Sequence, residues 1–423
     1  MVFVQMILNP PIKLREFLLL CFVIIFFTDN VYGLQGFVPV QKIESERIDV
    51  APQGIRFFDR VNHHPSYAMG PLSKLSVDGV NSSSVDAENV ITILSIDGGG
   101  VFGIPALLLL KKIEEKTGRP IASEFDVLAG TSTGSIIVSG LSVLNKDKTV
   151  KFSAKEILEY YTNLSGEVFS NSLWYRVKTL WGLLGPEFPS MRRNYYYDKI
   201  FGDVRLSELE DDVLVTVYAM KHRKALSLIS SNAKKGLEND FLVKDLIAAS
   251  TSTPSIFAPS ELNNISGTWD DLGLDAAIYI NNPVLEAFLF AQQKYKNSKF
   301  IIISIGSGDF PRVITSQEEL DDTKSWGVLQ GVLPTFMFSL YGQEAMVDEE
   351  MRYVSKIDPA IIGYYRFNFL VDKGSKSLFD GSPENIKKIN SYGERMLDEN
   401  KENIEAVVKI LNILNEPSKS WFF

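Results

Sequence analysis

Ser132 lies between Gly130 and Gly134 in residues 124–140, EFDVLAGTSTGSIIVSG. The stretch reads as a buried strand, a tight Gly-Thr-Ser-Thr-Gly turn and a helix of small and apolar residues. A serine on such a turn is pushed out of the sheet, with its hydroxyl at the positive end of the helix. That placement suits a nucleophile. The G-x-S-x-G match is weak alone, since average composition supplies one by chance roughly one time in seven in a chain this long. A serine hydroxyl is also a poor nucleophile at neutral pH and needs a base within hydrogen-bond reach.

A second stretch has chemical potential. Asp97-Gly98-Gly99-Gly100-Val101-Phe102-Gly103 follows a β-branched run at 90–96 and precedes a helix opened by Pro105 and closed by Gly118. Glycines between a strand and a helix N-terminus present unpaired backbone N–H groups. Two readings fit them, a phosphate cradle and an oxyanion hole. The pattern is neither G-x-G-x-x-G nor a glycine loop with G-K-[ST], which argues against dinucleotide and P-loop sites.

The histidines narrow the chemistry. His63 and His64 precede Ser132, and His222 precedes the best acidic candidate, Asp275. An α/β-hydrolase order of Ser, acid, His therefore fails. A His-Asp-Ser order would pair His63 or His64 with Asp97, but those histidines lie in a Pro-flanked, loop-like extension. His222 falls in the charged turn Lys221-His222-Arg223-Lys224 and reads as a solvated loop residue. What remains is a serine–carboxylate dyad in which an aspartate is the direct general base, with Asp270 and Asp271 as neighbouring alternatives to Asp275.

The elements that must position these groups alternate along the chain. After the Ser132 element come a helical pattern at 154–164 and strands at 213–218 and 226–230. A helix at 245–250 runs into the Pro-broken loop 251–259. Asn282-Pro283 opens another helix, because proline in a first turn loses no hydrogen bond. Residues 300–305 are an apolar strand ending in Gly306-Ser307-Gly308, the composition of a strand covered on both faces. The alternation predicts a layered α/β fold, a sheet flanked by helices. Residues 169–184 mix Trp174, Tyr175 and Trp181 with Arg176 and Lys178, which fits either a helix at a lipid interface or an amphipathic core helix. Residues 326–341 are apolar and aromatic, interrupted by Pro334, and read as core or a lipid-facing wall. Residues 382–414 read as helical.

With 423 residues, 45% hydrophobic and 22% charged, the chain can build a sizeable core. A net charge of −9 argues against nucleic acid as the main partner. The single cysteine, Cys21, leaves no intramolecular disulfide and no cysteine zinc site or nucleophile in the body of the chain. Lys13 and Arg15 precede an apolar run at 17–27, followed by polar residues and a small residue, Gly33. That order is the pattern of a secretory signal, and the run is short for a spanning helix. Residues 1–33 are thus expected to be a signal peptide or an N-terminal anchor, placing the protein in a secreted or extracytoplasmic compartment. Residues 34–88 are expected to form an extension or linker.

Together the motifs resemble the patatin-like phospholipases, lipid acyl hydrolases with a Ser–Asp dyad. The resemblance covers roughly residues 89–370. It rests on Asp97-Gly98-Gly99-Gly100, Gly130-Thr131-Ser132-Thr133-Gly134, the segment 250–259, the strand end Ile303-Ser304-Ile305-Gly306-Ser307-Gly308, and Asp275-Ala276-Ala277 followed by Asn281-Asn282-Pro283. It implies a patatin-like domain over residues 89–423, with Ser132 as nucleophile and Asp275 as base. The oxyanion hole would draw on Gly98, Gly99, Gly100 and Thr133. It implies no cofactor and no metal, and a lipid substrate at a membrane or micelle surface, with no nucleic acid. The reaction would cleave fatty-acyl esters of (phospho)glycerolipids through an acyl-enzyme. The alternatives are an acyltransferase and a non-catalytic lipid-binding or storage protein on the same scaffold. Two positions depart from the family pattern. Phe102 stands where the family usually has Arg or Lys near the oxyanion turn, which points toward a neutral ester or slower turnover. Ala276 stands where glycine usually follows the aspartate, a change that would cost about 1 kcal/mol if that position needed positive φ.

Overall fold

The computed structural model describes residues 89–179, 184–210, 212–309, 328–372 and 378–415, with side chains in the fourth segment described from 335 onward. The expected leader at 1–33, the extension at 34–88 with His63 and His64, and residues Cys21, Trp181 and Trp326 lie outside these.

Among the described residues the centre is an eight-stranded sheet. Its strands are β1 (Val90–Ile96), β2 (Val127–Gly130), β3 (Asp212–Ala219), β4 (Lys224–Ile229), β5 (Ser260–Asn263), β6 (Asp270–Leu274), β7 (Lys299–Ile305) and β8 (Ile361–Phe367). The order is β5-β6-β3-β2-β1-β7-β8, with β4 paired to β3. The run β3-β2-β1-β7-β8 is parallel; β4 and β6 pair with β3, and β5 with β6, in antiparallel fashion.

The helices are α1 (Ile104–Thr117), α2 (Thr133–Leu141), α3 (Ala154–Val168), α4 (Leu173–Lys178), α5 (Ser190–Phe201), α6 (Ser230–Ala233), α7 (Val243–Ser250), α8 (Val284–Lys294), α9 (Val328–Ile357), α10 (Pro383–Glu399) and α11 (Lys401–Asn415). They cover both faces of the sheet. Alternate strand residues divide between two cores, as a side-chain period of two requires. Leu94, Ile96, Ile301, Ile303 and Ile305 pack with α1, α2, α3, α10 and α11 on one side. Ile91, Ile93, Phe300 and Ile302 pack with α8 and α9 on the other. This is the expected layered α/β architecture.

Local signals account for several boundaries. Pro105 sits in the first turn of α1, and Gly118 ends it at φ 71°. Ser153 and Glu156 cap α3 reciprocally. Pro334, expected to interrupt its segment, is carried inside the continuous helix α9. The strands expected at 213–218 and 226–230 are β3 and β4, whereas β5, β6 and β8 had no expected counterpart.

The register of β3 positions the site. β4 occupies one edge of β3 from Leu214 to Ala219. β2 occupies the other edge only as far as Gly130, opposite Val215. Beyond it, β6 arrives on that same edge from the opposite direction, placing Leu274 opposite Tyr218. Two strands thus end facing each other along one edge, and the residues just past their ends, Ser132 and Asp275, meet in the gap.

Candidate active site

Ser132 caps α2 with φ 51° and ψ −117°, a backbone conformation strained for a residue with a side chain. The surrounding structure holds it there. A Cβ on Gly130 would lie 2.3 Å from the Gly134 carbonyl carbon, and one on Gly134 would lie 2.1 Å from the Ile96 carbonyl oxygen. Both flanking glycines are therefore required by the close approach of helix to strand. The Ser132 N–H donates to Ser250 Oγ at 3.2 Å, tying the turn to the end of α7.

Asp275 follows β6 and is 3% exposed. Its carboxylate accepts from the Ala277 N–H (2.9 Å) and the Thr253 hydroxyl (2.7 Å). The Ser132 side chain lies beside it, close enough to favour its ionised form. Burial raises its pKa above the ordinary 3.8, while the neighbouring Ser132 side chain, the bonds from Thr253 and Ala277 and the charge of Arg193 oppose that rise. The structure brings the two dyad candidates side by side. Ala276 lies in a short 3-10 turn, residues Ala276–Ile278, and is absent from the positive-φ positions, so the substitution for glycine carries no strain.

Arg193, on α5, had no place in the sequence reading. It is 1% exposed. Its guanidinium donates to the Thr251 carbonyl (3.1 Å) and to Ser252 Oγ (3.3 Å) and Ser260 Oγ (2.7 Å). It also lies over the Phe257 ring at 4.7 Å. It is a buried cation behind the Asp275 loop, and the sequence signal for it was no more than an arginine in a tyrosine-rich stretch.

The glycine turn divides its donors. The Gly98 N–H donates to the Asn281 carbonyl at 3.0 Å, so its amide is engaged and departs from its expected oxyanion role. Among the described residues, no hydrogen bond engages the N–H groups of Gly99, Gly100 or Thr133. Gly100, at φ 53°, sits against the Leu378 carbonyl, where a Cβ would lie 2.2 Å away. Its own carbonyl is clamped by the hydroxyls of Thr133 (2.8 Å) and Tyr161 (2.6 Å), which links the turn to the start of α2.

Asp97 is committed elsewhere. Its carboxylate takes a bidentate pair of bonds from Arg366 at 3.0 and 2.6 Å, and Arg366 also reaches Glu344 at 2.6 Å and Ser304 at 2.7 Å. Burial and the charge of Asp97 push Glu344 well above its ordinary value. Gln343 beside it accepts from the N–H groups of Asn281 (2.7 Å) and Asn282 (3.1 Å). This buried network fixes the base of the glycine turn and the Asn281-Asn282-Pro283 loop together.

The other candidates fall outside the site. Asp270 pairs with Lys221 at 2.5 Å. Asp271 accepts from Lys221 N, His222 N, Leu272 N and His222 Nδ1. Burial pushes its carboxyl up, but those bonds outweigh it and hold the pKa below the ordinary value. His222 lies in an exposed turn, as expected, and there stacks on Trp269 at 5.2 Å. An open groove of about 740 Å³ beside Met220, Trp269 and Asp271 is lined by neither dyad residue. Phe102 is fully buried and stacks with Phe369 and Tyr392 at 6.3 and 6.4 Å, so this position serves the core. In the apolar segment 326–341, Phe336 and Met337 pack against the core, and Ser339 donates to the Ile278 carbonyl at 2.7 Å.

Comparison with known proteins adds to this geometry. The sequence signature of the family described as patatin-like phospholipase matches residues 94–288, a span that holds the glycine turn, Ser132 and Asp275. Patatin-like protein 2 of Oryza sativa subsp. indica is 27% identical over 362 residues, covering 78% of this chain and 89% of that protein. Patatin-like protein 1 of Arabidopsis thaliana is 26% identical over 345 residues, covering 73% and 82%. Patatin-01 of Solanum tuberosum is 24% identical over 354 residues, covering 77% and 88%.

Proposed function

We propose, for a chain that belongs to the patatin-like phospholipase family, that its lipid acyl hydrolase activity runs through Ser132 and Asp275. The single observation that carries this reading is the placement of the Ser132 side chain beside a buried Asp275 carboxylate that Thr253 and Ala277 orient. Asp275 takes the hydroxyl proton as Ser132 Oγ attacks the acyl carbonyl of a (phospho)glycerolipid ester. The tetrahedral oxyanion is received by the N–H groups of Gly99, Gly100 and Thr133, which no described residue engages, each such donor worth roughly 3–4 kcal/mol in barrier. As the intermediate collapses, the ester C–O bond breaks and Asp275 returns the proton to the departing alkoxide oxygen. Water, deprotonated by Asp275, then attacks the acyl-serine. Its collapse releases the fatty acid and returns the proton to Ser132.

Three features of the fold support these roles. The strained turn sets Ser132 in the gap beside the carboxylate. The Thr253 and Ala277 donors fix the Asp275 carboxylate orientation. The clamp on the Gly100 carbonyl holds the glycine turn against α2, so its amides are set before substrate arrives. The basic–apolar–polar order of residues 13–33 supports delivery to an extracytoplasmic lipid surface, and sequencing the N-terminus of the mature protein tests that.

The mechanism is tested with wild type, Ser132→Ala and Asp275→Asn on phospholipid and neutral-ester vesicles. Both variants should lose acyl release while keeping the wild-type circular dichroism spectrum. Only chains with Ser132 should take up a fluorophosphonate probe. Full activity in either folded variant would remove that residue from the mechanism.

A further inference from the structure

The short helix α4 buries none of its side chains. It nevertheless carries Leu173, Trp174 and Val177 among its exposed residues, with Trp174 75% exposed. The adjoining start of α5 adds Met191, 79% exposed, and Tyr195 one turn on. The two helices share one neighbourhood. Arg192 of α5 bonds the Glu167 carbonyl at 3.1 Å and the Ser170 hydroxyl, Arg176 of α4 bonds Asn171, and Asn171 donates to the Glu187 carbonyl at 2.6 Å. Exposed apolar residues grouped in this way mark a contact surface.

The charge on this face selects the partner. Along residues 167–199 the exposed cations Arg176, Lys178, Arg192 and Lys199 outnumber the exposed carboxylates Glu167, Glu187 and Asp198, and Asp198 is paired with Lys244, a local basic excess in a chain of net charge −9. On α5, Lys199 lies over the Tyr195 ring at 4.7 Å. Aromatic rings flanked by cations suit the boundary of an anionic bilayer, where rings settle at headgroup depth and cations meet lipid phosphates. Isologous pairing with a second copy would instead bring together two faces with the same basic excess, which like-charge repulsion opposes.

The face is also sewn to the dyad. The Glu187 and Phe188 N–H groups donate to the Ser255 and Ile256 carbonyls at 2.9 and 3.0 Å. Thr253, in the same loop, holds Asp275. We infer that the exposed face of α4 and the start of α5 form a docking surface for an anionic phospholipid bilayer, seating the Asp275 loop against the membrane. The inference rests on the acyl hydrolase reading and names how that site meets an aggregated substrate.

The test uses the full chain with vesicles of phosphatidylcholine alone or with added phosphatidylglycerol. Trp174→Ser combined with Val177→Ser should lower partitioning on both vesicle types about tenfold or more. Arg176→Gln combined with Lys178→Gln should lower it about fivefold per charge on the anionic vesicles and leave the neutral ones unaffected. Acyl release from vesicles should fall in parallel, while hydrolysis of monomeric p-nitrophenyl butyrate stays at the wild-type rate. Unchanged partitioning overturns the inference, as does an equal loss on the monomeric ester. A wild-type dimer in light scattering that these substitutions dissociate would assign the face to a second copy and also overturn it. Ser132→Ala separates the two readings, because it should abolish butyrate turnover and leave partitioning intact.

Discussion

Gly134→Ala tests whether the close approach of α2 to β1 is what aims the nucleophile. The new Cβ would stand 2.1 Å from the Ile96 carbonyl oxygen, 1.3 Å short of the 3.4 Å at which ordinary contact begins. The Asp97 carbonyl oxygen, 3.1 Å away, blocks a sideways escape. The obstruction is backbone at the end of a buried strand, so α2 must lift by about an ångström. That movement carries Ser132 Oγ and the Thr133 N–H away from Asp275 and the glycine turn together. Overpacking of this kind costs about 1–3 kcal/mol of stability. An ångström of misplacement costs about 100-fold in rate. The expected result is a folded protein with kcat on a soluble ester down about 100-fold, slower fluorophosphonate labelling and a lower Tm. Gly118→Ala is the control. At φ 71° with nothing within 4 Å of its Cβ, it should cost about 1–2 kcal/mol of stability and no activity. If Gly134→Ala labels and turns over as fast as Gly118→Ala, the helix–strand contact does not position the serine.

Two further outcomes follow from the buried charges. Asp275 must be ionised to act as base, and its pKa is raised by burial, so kcat/KM should climb with pH through a value above 3.8. The Arg193 charge opposes that rise. Arg193→Met should therefore move the acid limb to higher pH and Arg193→Lys should restore it in part, and a pH–rate profile with an unmoved limb would refute the coupling. Arg366→Met strands Asp97 and Glu344 together in the core and should cost about 3–5 kcal/mol in urea unfolding at neutral pH. Glu344 carries a pKa raised above 4.5 in the fold, so its share of stability is complete below 4.5 and is lost as pH rises through the raised value. Glu344→Gln should thus gain on wild type as pH increases, and parallel Tm–pH curves would contradict this.

The parts of the site legible in the sequence were those written in consecutive residues. The Ser132 turn, the glycine turn and the buried runs of β1 and β7 each announce themselves by composition within a dozen residues. The histidine count argued against a conventional triad without any structure. Long-range register was not legible. Nothing in the sequence of residues 270–274 says that β6 takes the edge of β3 where β2 leaves off, yet that pairing brings Asp275 to Ser132 and leaves Asp270 and Asp271 behind. Side-chain direction was equally hidden. Phe102 follows the glycine turn by two positions and turns into an aromatic cluster, and the Gly98 amide is consumed by a carbonyl far along the chain.

A carboxylate that replaces histidine as base faces a narrow requirement. At the ordinary aspartate pKa it is too weak to draw a proton from a serine hydroxyl; fully desolvated and unpartnered, it would hold its own proton at neutral pH. Both influences act on Asp275. Burial raises the pKa, and the donors Thr253 and Ala277, with the Arg193 charge behind them, keep the rise in check. Those restraining groups come from the loop after α7, the turn after β6 and helix α5. The basicity of Asp275 is therefore set by the packing of three separate elements. Arg193 bonds the Thr251 carbonyl and Ser252 in that same loop, so moving α5 would change both the charge behind the carboxylate and the position of its Thr253 donor. This is why a residue with no contact to substrate is expected to shift the pH at which the enzyme works.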